Sequence, residues 1–409
     1  MSLISKAESP RPRFVPPAAD SCRACGKGGL SEVLDLGPMP LAGDFRPAGA
    51  KNLLYPLAID VCSLCGLLQV RQEVSHEIIF SPSYSYSSST IPALVRHFES
   101  YASEVTMPAG GVAKRLLEIG CNDGVFLTPL RKAGYDVIGV DACENVVAMA
   151  QAKGLRVSQR TFGKAAARAL HAEHGTFDVI TCSNVFAHNP DLGGFLEGVD
   201  LLLDRRGGEF WVEVHSAKAL YEGLQWDCFY HEHCFYWSIH SLKRCLERYG
   251  LFLRRYKTTP MHGGALRAVF GRGRESEAVQ EQEILPDDWA SFGVRSTRSK
   301  EVLRSAVRAL GIRYAYGAAG RAVTLINWSG IAPNLEFVVD GSPLRYGRVI
   351  PNSQVPIISE DEFARRGDPG EWCFVTAHNY LSDIRRKVSA FFPGKSPTFA
   401  TPLPYVALQ

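Results

Sequence analysis

The run Tyr230-His231-Glu232-His233-Cys234-Phe235-Tyr236 holds the densest set of reactive side chains in this 409-residue chain. An imidazole that titrates near neutrality is the most capable proton acceptor a protein has, a neighbouring carboxyl can orient or acidify, and a phenol can donate to a developing oxyanion. On a helix His231 and His233 would stand about 200° apart, so a shared metal ion is not expected of them. Packed, hydrogen-bonded histidines are the plain alternative. A metal is expected at the cysteines instead. Cys22-x-x-Cys25 and Cys62-x-x-Cys65, with 36 residues between them, each set two thiolates on a tight turn, and four thiolates close a tetrahedron around zinc. With every position filled, that zinc is structural, and it supplies roughly 10–16 kcal/mol towards folding a segment too small to fold unaided.

Glu118-Ile119-Gly120-Cys121-Asn122-Asp123-Gly124 follows an apolar run and opens a helical one, and Asp141 ends the next strand 17 residues past Gly124. In that context the glycines let backbone approach a nucleoside, and Asp141 accepts from ribose hydroxyls. A pyrophosphate on the helix N-terminus would meet Asp123, anion against anion, so the phosphate-free sulfonium of S-adenosylmethionine suits the loop better than a dinucleotide. Three weaker groups surround these. Tyr84-Ser85-Tyr86-Ser87-Ser88-Ser89 offers hydroxyls for sugar or phosphate contacts, and Asn184-Val185-Phe186-Ala187-His188 reaches the same sheet edge. His262-Gly263-Gly264-Ala265-Leu266-Arg267 joins a flexible turn to an arginine suited to phosphate oxygens. Their plain readings are a polar linker, core-facing residues and a hairpin turn.

These groups need a scaffold. Residues 115–214 alternate strand-like runs (115–119, 136–140, 177–181, 208–214) with helical ones (126–133, 146–153), a βαβα pattern that predicts a doubly wound parallel sheet. After a helix over 289–310 the rhythm restarts with a strand at 313–316, a glycine turn at 317–320, a helix through 327, and strands at 337–340 and 372–376. The expected organisation is α/β in three parts behind a flexible, proline-bearing tail (1–20). A zinc-binding domain spans 21–75, a Rossmann-like S-adenosylmethionine-binding domain 76–270, and a second Rossmann-like α/β domain 271–409.

Composition narrows the partners. Forty-five Lys and Arg against 42 Asp and Glu leave a charge of +3, with no general pull towards nucleic acid or a lipid surface. No run of about 18 apolar residues exists and the N-terminus lacks an apolar leader, so the expected address is the cytoplasm. Eleven cysteines, an odd number, fit reduced thiols rather than a disulfide framework. The residues do not decide the oligomeric state, a monomer being favoured.

Seven landmarks taken together resemble the sugar-nucleotide C-methyltransferases of antibiotic deoxysugar pathways, which methylate carbon 3 of a 4-keto sugar on a nucleoside diphosphate. They are the paired cysteine knuckles, Tyr84-x-Tyr86-x-Ser88, the run 118–124, Asn184 to His188 with Pro190-Asp191-Leu192, Tyr230-His231-Glu232-His233, His262-Gly263-Gly264, and Tyr316-Gly317-Ala318. The resemblance implies a C-terminal domain that does not hold the methyl donor, with the sugar nucleotide between it and the central domain. By the same resemblance His233 is the base at carbon 3, with Tyr230, Glu232 and Tyr84 lining its pocket. Glu118, Gly120, Asn122, Asp123, Gly124, Asp141 and Asn184 are assigned to the donor, and Tyr86, Ser88, His188, Tyr236, His262, Arg267 and Asn379 to the acceptor. The chain departs from the family pattern at Gly320-Arg321-Ala322-Val323-Thr324, at His378-Asn379 and at Ala265, where the sugar or its nucleotide should be held. The rival readings are an O- or N-methyltransferase on a sugar or small molecule, and a non-catalytic nucleotide-binding module.

Overall fold

The computed structural model describes residues 20–79, 88–105, 114–273, 276–370, 372–395 and 397–409. Strands Arg115–Ile119, Asp136–Asp141 and Val179–Ser183 bury nearly every side chain, as strands covered on both faces must. Among the described residues they belong to a seven-stranded sheet in the order Leu251–Thr259, Ala265–Arg272, Glu209–His215, Val179–Ser183, Arg115–Ile119, Asp136–Asp141, Val157–Gln159. From Glu209–His215 onward the strands run parallel, and Ala265–Arg272 runs antiparallel to both its neighbours. Chain order reverses between Arg115–Ile119 and Val179–Ser183, and a crevice opens beyond the carboxyl ends of strands at such a point. The strand expected at 177–181 starts two residues later. Phe177 instead bridges Leu203, and the Asp178 carboxylate accepts from the Arg115 N–H at 2.8 Å, tying two strand starts together.

Residues 20–79 supply a smaller sheet of antiparallel strands, Leu30–Pro40, Leu54–Cys62 and Leu68–Val70. Its fourth strand comes from far along the chain: Phe235–Tyr236 pairs antiparallel with Gln69 and Leu68. The C-terminal part repeats the parallel pattern. Its strands lie in the order Ile357–Ser359, Phe337–Asp340, Tyr314–Tyr316, Trp372–Val375, Thr398–Thr401, Ala407–Leu408, all parallel except the last. The central sheet runs on through Arg272, two residues past the boundary expected at 270.

Three sheets do not mean three cores. One buried apolar cluster joins Leu57, Ile59 and Val61 of the N-terminal sheet to Trp226 and Phe229 of the central part and to Leu325, Val338 and Phe374 of the C-terminal one. The helix Pro286–Ala309 is the rail along which they meet, burying Trp289, Phe292, Leu303 and Val307. Its Gly293 lies so close to the N-terminal sheet that an added Cβ would stand 2.0 Å from the Val33 carbonyl oxygen. Among the described residues no helix is long and apolar enough to cross a membrane.

Gly293→Ala is therefore expected to push helix and sheet apart, at a cost of about 1–3 kcal/mol, and to lower the thermal midpoint. Gly207→Ala, where an added Cβ meets nothing within 4 Å, should leave it unchanged. Equal midpoints for the two variants would refute the close packing of this helix.

Candidate active site

One cavity of about 420 Å³ opens at the crevice and is walled by all three parts of the chain, including Gly43 and Phe45, Gly120 and Asp141, and Gly317 and Arg321. At its nucleoside end the chain leaves strand Arg115–Ile119 through Gly120 (φ +72°) and Asn122 (φ +49°). The Asp141 carboxylate accepts from the Asn122 and Cys143 N–H groups, each at 2.9 Å, which fixes it at the crevice. Burial raises its pKa and those N–H donors oppose the rise.

Packing also demands the glycines: a Cβ on Gly120 would lie 2.2 Å from Val185 Cγ2, and one on Gly124 2.2 Å from Leu155 Cδ1. Gly120, Asn122, Asp141 and Asn184 still line the cavity.

Glu118, Asp123 and Gly124, also expected at the donor, are not on the wall itself. Glu118 is buried, and burial followed by the charges of Asp141 and Asp123 raises its pKa well above the carboxylate range. Asp123 turns inward, its Oδ2 accepting from the Ser89 N–H at 3.1 Å and from the Ser89 hydroxyl, while Asn122 Oδ1 accepts from the Ser88 N–H at 3.0 Å. The loop thus straps down the turn Ser88–Thr90, and Ser88 reaches the wall. Tyr84 and Tyr86 lie outside the described residues.

The acceptor end is built around residues 230–236, which the N-terminal sheet holds from behind. His231 Nε2–H donates to the carbonyls of Tyr55 and Pro56, each at 3.2 Å, and the Gly43 N–H donates to Glu232 Oε1 at 2.9 Å. Burial pushes the Glu232 carboxyl up to about 7. His233 Nε2 stands 3.1 Å from the Tyr230 hydroxyl, and its ring packs edge-on against His188 at 4.6 Å. His188 is itself set by donation from Nδ1–H to the Glu232 carbonyl at 2.5 Å.

Burial, then the neighbouring His188, His215, His262 and Arg321, hold His233 well below the usual imidazole range, so it is unprotonated at neutral pH. In the tautomer with hydrogen on Nε2, donation to Tyr230 leaves the Nδ1 lone pair without a partner, the state a base requires.

Two acceptor assignments need correction. Tyr236 is buried behind the wall, accepting from the Tyr230 N–H at 3.1 Å and donating to the Cys228 carbonyl at 3.0 Å, so it braces the segment. Arg267 sits directly opposite Glu213 in the sheet and is buried against it, with contacts of 2.6 and 2.8 Å, and against Glu104 at 2.8 Å. Its guanidinium is spoken for inside the sheet and does not reach the cavity. His262 and Asn379 do line it, and His262 Nδ1 accepts from the Tyr380 hydroxyl at 3.1 Å.

Sequence reasoning assigned no role to Arg321, Asp227 or His215. Arg321 donates to Asp227 at 2.9 and 2.8 Å and to the His262 carbonyl at 3.1 Å, placing a fixed cation on the cavity wall. Its sequence signals are its place at the start of the helix after the second glycine turn and its membership of the run 320–324, where the chain departs from the family pattern.

The two α/β parts share a detail that tells them apart. Asp340, like Asp141, ends a second strand and accepts from two backbone N–H groups, Ala318 at 2.7 Å and Ser342 at 2.8 Å. Asp340 also holds Arg345 at 3.1 Å, so a cation already occupies the carboxylate that would otherwise take ribose hydroxyls.

The four cysteines Cys22, Cys25, Cys62 and Cys65 bring their Sγ atoms within 4.8 Å of one another, with separations of 3.5 Å for Cys22–Cys65 and 3.7 Å for Cys25–Cys62. A tetrahedron with Zn–S bonds of about 2.3 Å has edges of about 3.8 Å, so the donor set fits zinc. Both knuckles make the same turn: Gly26 N–H donates to the Cys22 carbonyl at 2.7 Å and Gly66 N–H to the Cys62 carbonyl at 2.9 Å.

Comparison with known proteins follows the same three-part division. Residues 22–80 match a putative zinc binding domain, 94–255 a methyltransferase domain and 260–404 a C-methyltransferase C-terminal domain. The C-methyltransferase NovU of Streptomyces niveus is 28% identical over 94% of this chain and 96% of its own length. The ubiquinone biosynthesis O-methyltransferase of Ralstonia nicotianae is 32% identical over 28% of this chain and 48% of its own length, so the likeness is to about half of that protein. Among solved structures, magnesium protoporphyrin IX methyltransferase from Synechocystis PCC 6803 superposes with a TM-score of 0.33 at 16% identity, covering 44% of this chain and 79% of that one.

Elemental analysis is expected to find one zinc per chain. Cys62→Ala should abolish it and lower the thermal midpoint, because the strand whose Tyr55 and Pro56 carbonyls hold His231 ends at that ligand. A zinc-free variant that melts like the wild type would refute a structural metal.

Proposed function

We propose that this chain, an S-adenosylmethionine-dependent C-methyltransferase of zinc, methyltransferase and C-methyltransferase C-terminal domains, acts on carbon 3 of a nucleoside-diphosphate-linked 4-keto deoxysugar. Its setting is a cytoplasmic pathway to an antibiotic. The observation that carries the reading is His233: a half-buried, unprotonated imidazole on the wall of the same cavity as Asp141 and Gly120.

A ketone acidifies the C–H bonds on both flanking carbons, and removing one of those protons takes a base at the hydrogen and donors near the oxygen. His233 accepts the proton from carbon 3, the electron pair moves onto the carbonyl oxygen, and carbon 3 becomes the nucleophile. Tyr230 sets the tautomer of His233, and Glu232 and His188 complete the wall around it. S-adenosylmethionine, when bound, supplies a methyl group on cationic sulfur. Gly120, Asn122, Asp141 and Asn184 would hold its nucleoside part. Tyr84 is assigned to the pocket of the base, Ser88, His262 and Asn379, with Tyr86, to the sugar nucleotide, and Arg345 on Asp340 speaks against a second donor in the C-terminal part.

His233→Ala is expected to lower turnover on the order of 10² to 10⁴ fold with donor affinity near wild type. In deuterium oxide the wild type should wash deuterium into carbon 3 of a keto sugar nucleotide. Methyl transfer without any exchange beside the ketone would favour an O- or N-methyltransferase, and exchange at carbon 5 would move the reaction to the other flank.

Glu232 is the cavity carboxyl that changes state near neutrality, its carboxylate prevailing above about 7. Methyl transfer should therefore rise with pH through that value, and the inflection should vanish in Glu232→Gln. An inflection that survives the substitution belongs to another group.

A further inference from the structure

His215 ends strand Glu209–His215 on the cavity wall and is 7% exposed. Its Nε2 is buried with no hydrogen-bond partner. A buried polar nitrogen without a partner is uncommon, because its desolvation goes uncompensated until something binds it. The backbone that carries the ring is fixed: His215 is in register with Ala265 on the neighbouring strand, and the next residue donates from Ser216 N–H to the Gly264 carbonyl at 3.0 Å and caps the helix Ala217–Glu222.

Two of the other donors on the wall are already engaged: the Tyr380 hydroxyl donates to His262 Nδ1, and Arg321 donates to Asp227 and the His262 carbonyl. Burial, then the nearby Arg321 and His262, pull His215 down to about 3, so at neutral pH it is a neutral imidazole, which donates from Nε2 in the tautomer with hydrogen there. A neutral imidazole is a suitable electrophile for a carbonyl: it donates to the growing negative charge without surrendering its proton.

We propose that His215 is a catalytic residue that donates a hydrogen bond to the carbonyl oxygen of the acceptor as the proton on the adjacent carbon passes to His233. The C–H bond breaks, its electron pair moves onto the oxygen bonded to His215, and His215 keeps its own hydrogen throughout. The inference rests on the keto-sugar reading above.

The test incubates thymidine diphosphate 4-keto-6-deoxyglucose with S-adenosylhomocysteine-loaded enzyme in deuterium oxide and follows exchange beside the ketone by NMR. His215→Phe keeps the bulk and removes the donor, whereas His215→Gln keeps an N–H. Exchange by the Phe variant is expected to fall on the order of 10² fold with S-adenosylhomocysteine affinity within about twofold of wild type, and Gln should recover at least about a tenth of the lost rate. Wild-type exchange in the Phe variant overturns the role of His215 while leaving the keto-sugar reading intact. Equal loss in Phe and Gln overturns it too, marking a packing residue, and Gln alone decides the matter if Phe fails to fold. A wild type that exchanges nothing overturns the keto-sugar reading, and the His215 proposal with it.

Discussion

The segment that carries His233 runs into an edge strand of another domain's sheet. Phe235–Tyr236 pairs with Leu68 and Gln69, and the side chains just before it finish the attachment through His231 to two carbonyls and Glu232 to a backbone N–H. Cys62 and Cys65 frame the turn between the two strands that present this edge, so the metal lies directly behind the pairing. A structural ion at some distance from the chemistry therefore sets where the imidazole of His233 stands.

The cavity is electrically quiet for a site with so many ionisable groups. His233 and His262 are kept neutral by burial, and Arg321 brings its own counter-ion in Asp227. A buried ion pair contributes little net stability, but a fixed dipole in a water-poor pocket is already oriented before charge develops in the reaction. The neutral state of the histidines follows from the same scarcity of water. An imidazole at the surface would be partly protonated near neutrality, whereas one enclosed by rings and a cation keeps its lone pair free but is the weaker base for it.

Much of this was legible in the sequence, for identifiable reasons. The cysteine knuckles are read directly because zinc chemistry fixes both ligand type and spacing. The central sheet is read because strands buried on both faces leave unbroken apolar runs, and Asp141 is read because it stands at the end of one. Contacts distant in sequence were not legible. Arg267 looked like a phosphate ligand because nothing in its neighbourhood reveals that the strand register puts Glu213 opposite it. Asp123 looked ligand-facing because its partner, Ser89, lies on a separate segment. His215 stood unremarked between a strand and a helix cap, since a lone histidine carries no motif and only the folded wall shows that its ring has no partner.

The apolar cluster common to all three sheets bears on how such chains can be cut and recombined. Sequence motifs divide the protein into modules, yet severing the chain near residue 75 or 271 would strip Trp226, Phe229 and Leu325 of their neighbours and leave sticky hydrophobic faces on every fragment. The modules can be traded between relatives only when the surfaces that mate with them travel along, so the unit of inheritance here is the whole assembly.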